Sequence, residues 1–449
     1  MTLPAAEQWL RLESEDITVL TDAAEKQALE FAVGYAAFRH VFNTLLPPDG
    51  RRPPPTQLIL FRKHSSLAKY CGNERNSRTE LLTITTEIDG RALVAFSLED
   101  GRTEALRSAF EFETIWGLRR VGLMLPLWMS QGTGEVLSTL RIEKGKCVIG
   151  LRRDNFDDVL LIKRWHSWPE FSVVTPASVG YYDVGQTCSF HAQAWGVMHW
   201  VLLAKPDAAR DRFAALARKT QEISQADDAL AAIFGIAPSE VKDAIRRHLR
   251  RGGRIEIPFD AEIERTRLAV TNAGKAEVHV RLNDLLRAAG RMSDADAELE
   301  QAREGAADDR LVKEALARRA VLANKTDDAI ALYREAIAAG STNPWAFLIS
   351  AISWLDSVSS GGRDSEGQGG ESADTAVREL RQALELDPGN GDAYRALGRA
   401  FFLAERITPE NVEELTPGLA AAGVGPWVRC YRALLERRLG RIDAGLADL

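Results

Sequence analysis

Hydrophobic positions in the first hundred residues alternate between two periods. Ile17 to Thr21 is a short β-branched run, and Gln57 to Phe61 is continuous apolar chain behind three prolines at 53–55. Both read as strands, the second one buried. Between them, Ala23 to Leu46 sets Leu29, Phe31, Tyr35, Phe38, Val41 and Phe42 mostly three and four apart, the spacing of one helical face. Residues 81–88 and 92–98 flank Asp89-Gly90, a dipeptide suited to a tight hairpin turn. A helix over 103–120, the segment Leu125-Pro126-Leu127-Trp128 with a second helical stretch, and a hairpin over 141–150 turning near Lys144-Gly145 complete an α+β region.

From Ser189 to Arg251 the pattern turns helical throughout, with Phe190, Ala194, Val197, Val201 and Leu202 on one face. The basic run from Arg246 to Arg251 stands before Gly252-Gly253, the usual way a helix stops. A nucleic-acid patch is the weaker reading of that run, because no aromatics interleave with the charges.

Beyond a short extended segment near Ile255 to Pro258, a period of 34 residues sets in. Ala295, Leu299 and Ala302 are answered 34 positions later by Ala329, Tyr333 and Ala336, and the small–bulky–small triplet returns as Ala376, Leu380 and Ala383. A fourth unit opens with Ala393, Tyr394, Leu397, Gly398 and Phe401, and a last one runs from Pro426-Trp427 to Leu439-Gly440-Arg441. Small residues let paired helices approach, and bulky ones fill the groove of the next pair. This resembles the tetratricopeptide (TPR) repeat, a helix–turn–helix unit of that period. The third unit is split by residues 356–374, rich in Ser, Gly, Asp and Glu, which read as a flexible insert.

Net charge alters the range of partners. Lys and Arg number 57 against 64 Asp and Glu, a formal charge of -7, which disfavours bulk nucleic-acid or anionic-membrane binding. No apolar run approaches the roughly 20 residues that span a bilayer. The four cysteines, Cys71, Cys147, Cys188 and Cys430, form no CxxC pair and read as separate buried or half-buried thiols. The amino terminus has no basic start followed by an apolar stretch, so no signal peptide is expected and the chain at face value is cytoplasmic.

The segment Leu125-Pro-Leu-Trp-Met-Ser-Gln-Gly-Thr-Gly-Glu135, the helix before it and the aromatic-rich stretch from Phe190 to Trp200 resemble bacterial peptidase-MA-like domains. These are gluzincin-type zincins, often exported and often fused to TPR repeats. The resemblance covers about residues 10 to 250 and implies a zincin-like α+β domain over 1–187 and a helical lobe over 188–252. A linker over 253–262 and a TPR-like superhelical array over 263–449 would follow. Active members carry His-Glu-x-x-His on the helix before the LPLW-like turn and a Glu in a Trp-x-Ser-Glu-Gly segment after it. Two His on one helical face and a carboxylate from the next helix give zinc three protein ligands, and the first Glu activates the bound water.

Here Phe110 and Thr114 stand at the two His positions, Glu111 at that of the base, and Gln131 at that of the third ligand. A register shifted by two offers Glu113 as base but Phe112 and Trp116 as ligands. Phenylalanine has no lone pair, and Thr and Gln oxygens are poor zinc donors. The expectation is therefore a pseudopeptidase without metal, cofactor or catalysis, whose repeats bind a protein or peptide, with Tyr394, Gly398 and Phe401 as candidate binding positions. The alternative is a hydrolase of the metallopeptidase family with a rebuilt site. No two of the seven histidines lie four apart; His191 and His199, eight apart, suggest helix packing. Ser130 lacks the first glycine of a GxSxG elbow. Gly132-Thr-Gly134 lacks a phosphate-loop lysine. Trp116, Trp128, Trp195 and Trp200 read as core anchors, and Glu135 as a helix-surface or supporting carboxylate.

Overall fold

The computed structural model describes residues 9–46, 53–71, 83–99, 102–123, 125–152, 156, 160, 165–175, 177–178, 184–359, 368–404, 406–420 and 424–449. A six-stranded sheet is the first layer. It comprises β1 (Leu10–Glu13), β2 (Ile17–Thr21), β3 (Thr56–Phe61), β4 (Thr83–Ile88), β5 (Arg91–Ser97) and a late strand, β9 (Ala269–Asn272), in the order β4-β5-β3-β2-β1-β9. The inner strands β2, β3 and β5 run parallel, with Val19 beside Leu58 and Leu58 beside Val94. Parallel strands covered on both faces read as unbroken apolar runs, and Leu58 to Phe61 and Leu93 to Phe96 are all buried. The Asp89-Gly90 turn behaves as the dipeptide predicts: both residues take positive φ, +50° and +74°, as the right-handed twist of a two-residue hairpin requires.

Helix α1 (Glu25–Leu45) lies against this sheet through Phe31, Tyr35, Phe38 and Phe42, with the Phe31 ring 4.6 Å from that of Phe96. Beyond α2 (His64–Ala68) come α3 (Arg102–Arg120) and α4 (Leu127–Leu137). The hairpin β6 (Arg141–Glu143) and β7 (Lys146–Ile149) and the short α5 (Trp168–Ser172) lead to α6 (Val184–Leu203), α7 (Ala209–Glu222), α8 (Ala226–Phe234) and α9 (Pro238–Arg251). One hydrophobic core runs through sheet and helices from Trp9 to Ala295. A division at 187/188 would cut through α6, and the two regions share that core.

A buried ion pair ties α1 to α3. Arg39 Nη1 lies 2.6 Å from Glu113 Oε1, both side chains 1% exposed. Tyr35 donates to Glu113 Oε2 at 3.0 Å, and the Thr56 hydroxyl donates to Oε1. The second Arg39 nitrogen donates to the Pro53 carbonyl at 2.7 Å. Helix, strand and the proline turn between them thus converge on one ion pair.

The residues expected to be a linker are structured. β8 (Ile255–Pro258) pairs with β7 in a three-stranded sheet, α10 (Ala261–Arg267) follows, and β9 closes the far edge of the large sheet against β1. Alternation of buried Ile255 and Ile257 with exposed Glu256 and Pro258 carries a strand signal in only four residues, too few to separate from an extended connector. The helical array accordingly starts at Lys275 and not at 263. Its pairs are α11 (Lys275–Ala288) with α12 (Met292–Arg303), α13 (Arg310–Leu322) with α14 (Thr326–Ala338), and α15 (Pro344–Ser359) with α16 (Gln368–Leu386). Next, α17 (Gly391–Leu403) is followed by the short α18 (Pro409–Glu414), and α19 (Gly425–Arg438) pairs with α20 (Ile442–Asp448).

Period and geometry agree closely in the array. Gly290 and Asn324, 34 positions apart, both sit between paired helices at positive φ, +74° and +57°, and Gly440 repeats this at +76°. At each turn an N–H reaches back five residues, Arg291 to Leu286, Lys325 to Ala320 and Arg441 to Glu436, each at 2.9 Å. That bond closes the left-handed helix ending that glycine and asparagine tolerate best. All nine residues of the three small–bulky–small triplets are buried. The expected insert over 356–374 is partly helical: α15 continues to Ser359 and α16 begins at Gln368, leaving 360–367 outside the described residues.

The carboxylate of Glu113 serves three buried partners, Arg39, Tyr35 and Thr56. Glu113→Leu leaves Arg39 with only Asp16, 3.6 Å away and partly exposed, as counter-charge and is expected to cost about 3 kcal/mol. Adding Arg39→Met should recover part of that loss, since Tyr35 and Thr56 still lose their acceptor. Urea unfolding of the single and double variants measures both effects; equal stability of Glu113→Leu and the parent chain would contradict the assignment.

Candidate functional site

The crossing of α3, α4 and α6 is where the resemblance would put a metal centre. Phe110 is buried but turned to α1, its ring stacked on Phe38 at 4.3 Å and 4° and lying 5.5 Å from Tyr35. Thr114 is buried, and its hydroxyl donates to the Phe110 carbonyl one turn back at 2.7 Å. Gln131 is buried on α4. Glu111 is half-buried at the α3–α4 crossing, where its Cα would lie 3.0 Å from a Cβ placed on Gly134. Glu113, the base of the shifted register, points to the other side and is held by Arg39. Thus the backbone of α3 at Glu111 lies against α4, while the Glu113 carboxylate is held by α1. Among the described residues, no three His, Cys, Asp or Glu side chains gather as a metal ligand set.

The glycines of α4 have a packing cause. A Cβ on Gly132 would come within 2.2 Å of the Ala194 carbonyl oxygen on α6. These two helices touch backbone to backbone, which explains Gly132-Thr-Gly134 without any phosphate. Gly132→Ala is therefore expected to force the helices apart at a cost of about 2–3 kcal/mol, read as a lowered urea midpoint. Gly34→Ala, at an open helical position of α1, serves as a control for glycine entropy.

The two α6 histidines serve different neighbours. His191 Nδ1 lies 2.9 Å from Glu135 Oε1, joining α6 to α4. His199 is buried, with Nε2 at 3.1 Å from the Gly150 carbonyl and Nδ1 at 2.8 Å from His248 Nε2 on α9. A carbonyl only accepts, so Nε2 of His199 carries the hydrogen and Nδ1 accepts from His248. Burial, then the proximity of His248, push the His199 pKa down to about 4, and burial lowers that of His248 as well. Trp128 and Trp195 are fully buried, with Trp195 4.8 Å from the His199 ring, so both act as core anchors.

This pair sets an acid limit. At neutral pH the imidazole of His199 is uncharged in folded and unfolded chains alike. Below the ordinary value of 6.5 the unfolded chain takes up a proton that the folded one refuses, so stability falls until pH reaches about 4. The loss attributable to His199 is at most about 3 kcal/mol. Urea midpoints should drop between about pH 7 and about pH 5, with a shallower slope for His199→Gln, which keeps a donor and an acceptor but does not titrate.

Within the array, Tyr394, Gly398 and Phe401 are interior positions. Tyr394 and Phe401 are buried, and a Cβ on Gly398 would come 2.8 Å from that of Tyr431. They hold α17 against its neighbours, so they form no solvent-facing binding surface. Exposed large apolar residues of the array lie instead at Met292, Val321 and Leu322 and, toward its end, at Phe402, Trp427, Leu434, Ile442, Leu446 and Leu449. Cys430 is exposed too, against the expectation of burial, whereas Cys147 is buried and Cys71 half-buried; the side chain of Cys188 lies outside the described residues.

Nothing in the linear pattern hints at how the array grips the sheet. Arg318 Nη1 on α13 lies 2.6 Å from Asp89 at the β4–β5 turn, and Asn343 donates to the same oxygen at 2.7 Å. The other Arg318 nitrogen reaches Asp284 at 2.9 Å. Arg120 at the end of α3 pairs with Asp387 after α16, and Arg291 donates to the Lys69 carbonyl. No described helix is long and apolar enough to cross a membrane.

No protein-family model matches this chain, and no curated protein matches it. Among solved structures, a thermophilic TPR protein of Thermus thermophilus aligns at 19% identity over 38% of this chain and 87% of that one, with a TM-score of 0.25.

Proposed function

We propose that this is a non-catalytic protein, a degenerate peptidase-like lobe joined to a TPR-like scaffold that binds a protein or peptide partner. The observation that carries the proposal is the Phe110–Phe38 stack at 4.3 Å, which fills with hydrocarbon the position where the resemblance calls for a zinc ligand. Hydrocarbon offers no lone pair, and the Thr114 hydroxyl beside it is engaged with the backbone. Without a cation no group is available to bring the pKa of an attacking water from about 15.7 toward 7. Stacked helix pairs present extended surfaces for polypeptides. The proposed partner surface lies toward α19 and α20, where Trp427 is 58% and Leu446 66% exposed.

Metal analysis of protein purified at neutral pH should find well under one zinc per chain, with no hydrolysis of unstructured polypeptide substrates. Stoichiometric zinc, or turnover abolished by Glu111→Gln, would refute the reading. On the binding side, a partner captured by the intact chain should be lost with Trp427→Glu and Leu446→Glu and retained with Glu111→Gln. Capture unaffected by the first two substitutions would move the interface elsewhere.

A further inference from the structure

A cavity of about 300 Å³ lies between the outer face of the six-stranded sheet and the array. Thr18 and Leu20 of β2 and Gln57 and Ile59 of β3 form its floor, alternate residues of neighbouring strands and so on one face. The starts of α11, α13 and α15 form its roof. Its charges are unevenly satisfied. Glu13 pairs with Arg11 at 2.8 Å, and Glu277 approaches the same arginine at 3.5 Å. Asp309 accepts from the Leu311 N–H at 2.8 Å, Glu314 accepts from Ser341 and Asn343, and Asp89 is taken by Arg318. Arg281 has Asp284 at 2.9 Å.

Among the described residues, two of the four lining arginines are bound only by neutral groups, as are the carboxylates of Asp309 and Glu314. Arg91 donates to the Thr342 carbonyl at 2.7 Å, and Arg310 donates to the Thr342 hydroxyl at 3.0 Å. Neither has a carboxylate within ion-pair distance among the described residues. Both guanidinium groups reach one threonine, so they stand near each other. Burial, and next Arg281, push the Arg91 pKa below the ordinary arginine value. Glu314, Asp89 and Asp387 act on Arg91 in the opposite direction, and the lining holds five carboxylates beside its four arginines. What stays open is local, two guanidinium groups with N–H donors to spare. On the floor, Gln57 Oε1 is shielded from solvent and has no hydrogen-bond donor among the described residues.

We propose that this cavity binds a small oxyanion-bearing ligand, a carboxylate or phosphate held between Arg91 and Arg310, whose hydroxyl or amino group donates to Gln57. Guanidinium forks suit the paired oxygens of either group, and the volume is that of a small-metabolite site rather than a polypeptide groove. The site is independent of the peptidase-like crossing and of any partner on α19 and α20.

The test is thermal unfolding and calorimetric titration of the intact chain with inorganic phosphate, glycerol phosphate and malate, at constant ionic strength. Saturable stabilisation by at least one of them is expected; preference for the phosphates or for malate identifies the anionic group. Arg91→Gln and Arg310→Gln should each weaken binding about tenfold or more, with Arg303→Gln, an exposed cation on α12, unchanged. Gln57→Leu should weaken glycerol phosphate or malate but leave inorganic phosphate unaffected. Because Arg91 is partly buried and its variant can misfold, Arg310→Gln alone suffices to decide. Absence of saturable binding by all three probes, or equal weakening by Arg303→Gln, would overturn the proposal.

Discussion

The contact between Arg39 and Glu113 governs how the N-terminal layers stack. It joins α1 to α3 across the core, and through Tyr35, Thr56 and the Pro53 carbonyl it also fixes the start of β3. A charged pair out of water is tolerated only when its remaining donors and acceptors are met. Each of these partners therefore constrains the position of the others. Once α3 is oriented in this way, Phe110 faces Phe38 and the α3 backbone at Glu111 lies against Gly134 of α4. Identity of the residues at the supposed metal position thus follows from core packing on both sides of one helix.

Close backbone approach provides the second constraint. Gly132 lets α4 meet α6 at a separation that no side chain would permit, and the His199–His248 pair then fastens α6 to α9. The helices that the sequence presents as a separate lobe are in this way continuous with the sheet domain. At the other end, Asp89, placed by a turn that exposes its carboxylate, docks into Arg318 and Asn343. Sheet and array meet through charged side chains and leave between them a cavity lined by charges of both signs. The same hairpin that closes the sheet edge therefore also shapes the wall of that cavity.

Much of the local structure was legible beforehand. The Phe31–Phe42 stripe, the apolar run at 57–61, the Asp89-Gly90 turn and the 34-residue period each depend on neighbours close in sequence, and all correspond to observed elements. Harder to see were β1, β8 and β9, four residues apiece, whose strand character comes from partners far along the chain. The candidate binding positions Tyr394, Gly398 and Phe401 were misread because a bulky residue at a repeat position looks the same whether it faces a partner or the next helix.

What the amino-acid sequence determined alone was periodicity and chemistry: which segments are helix or strand, where the array repeats, and that no histidine stands at 110 or 114. Such properties reside in single residues and short spacings. Tertiary structure alone decided that Glu113 is a packing carboxylate, that Gly132 marks a helix crossing, and that Arg91 and Arg310 meet at Thr342 although 219 positions separate them. Burial and charge pairing depend on which distant groups are brought within a few ångströms, and a linear pattern does not carry that information.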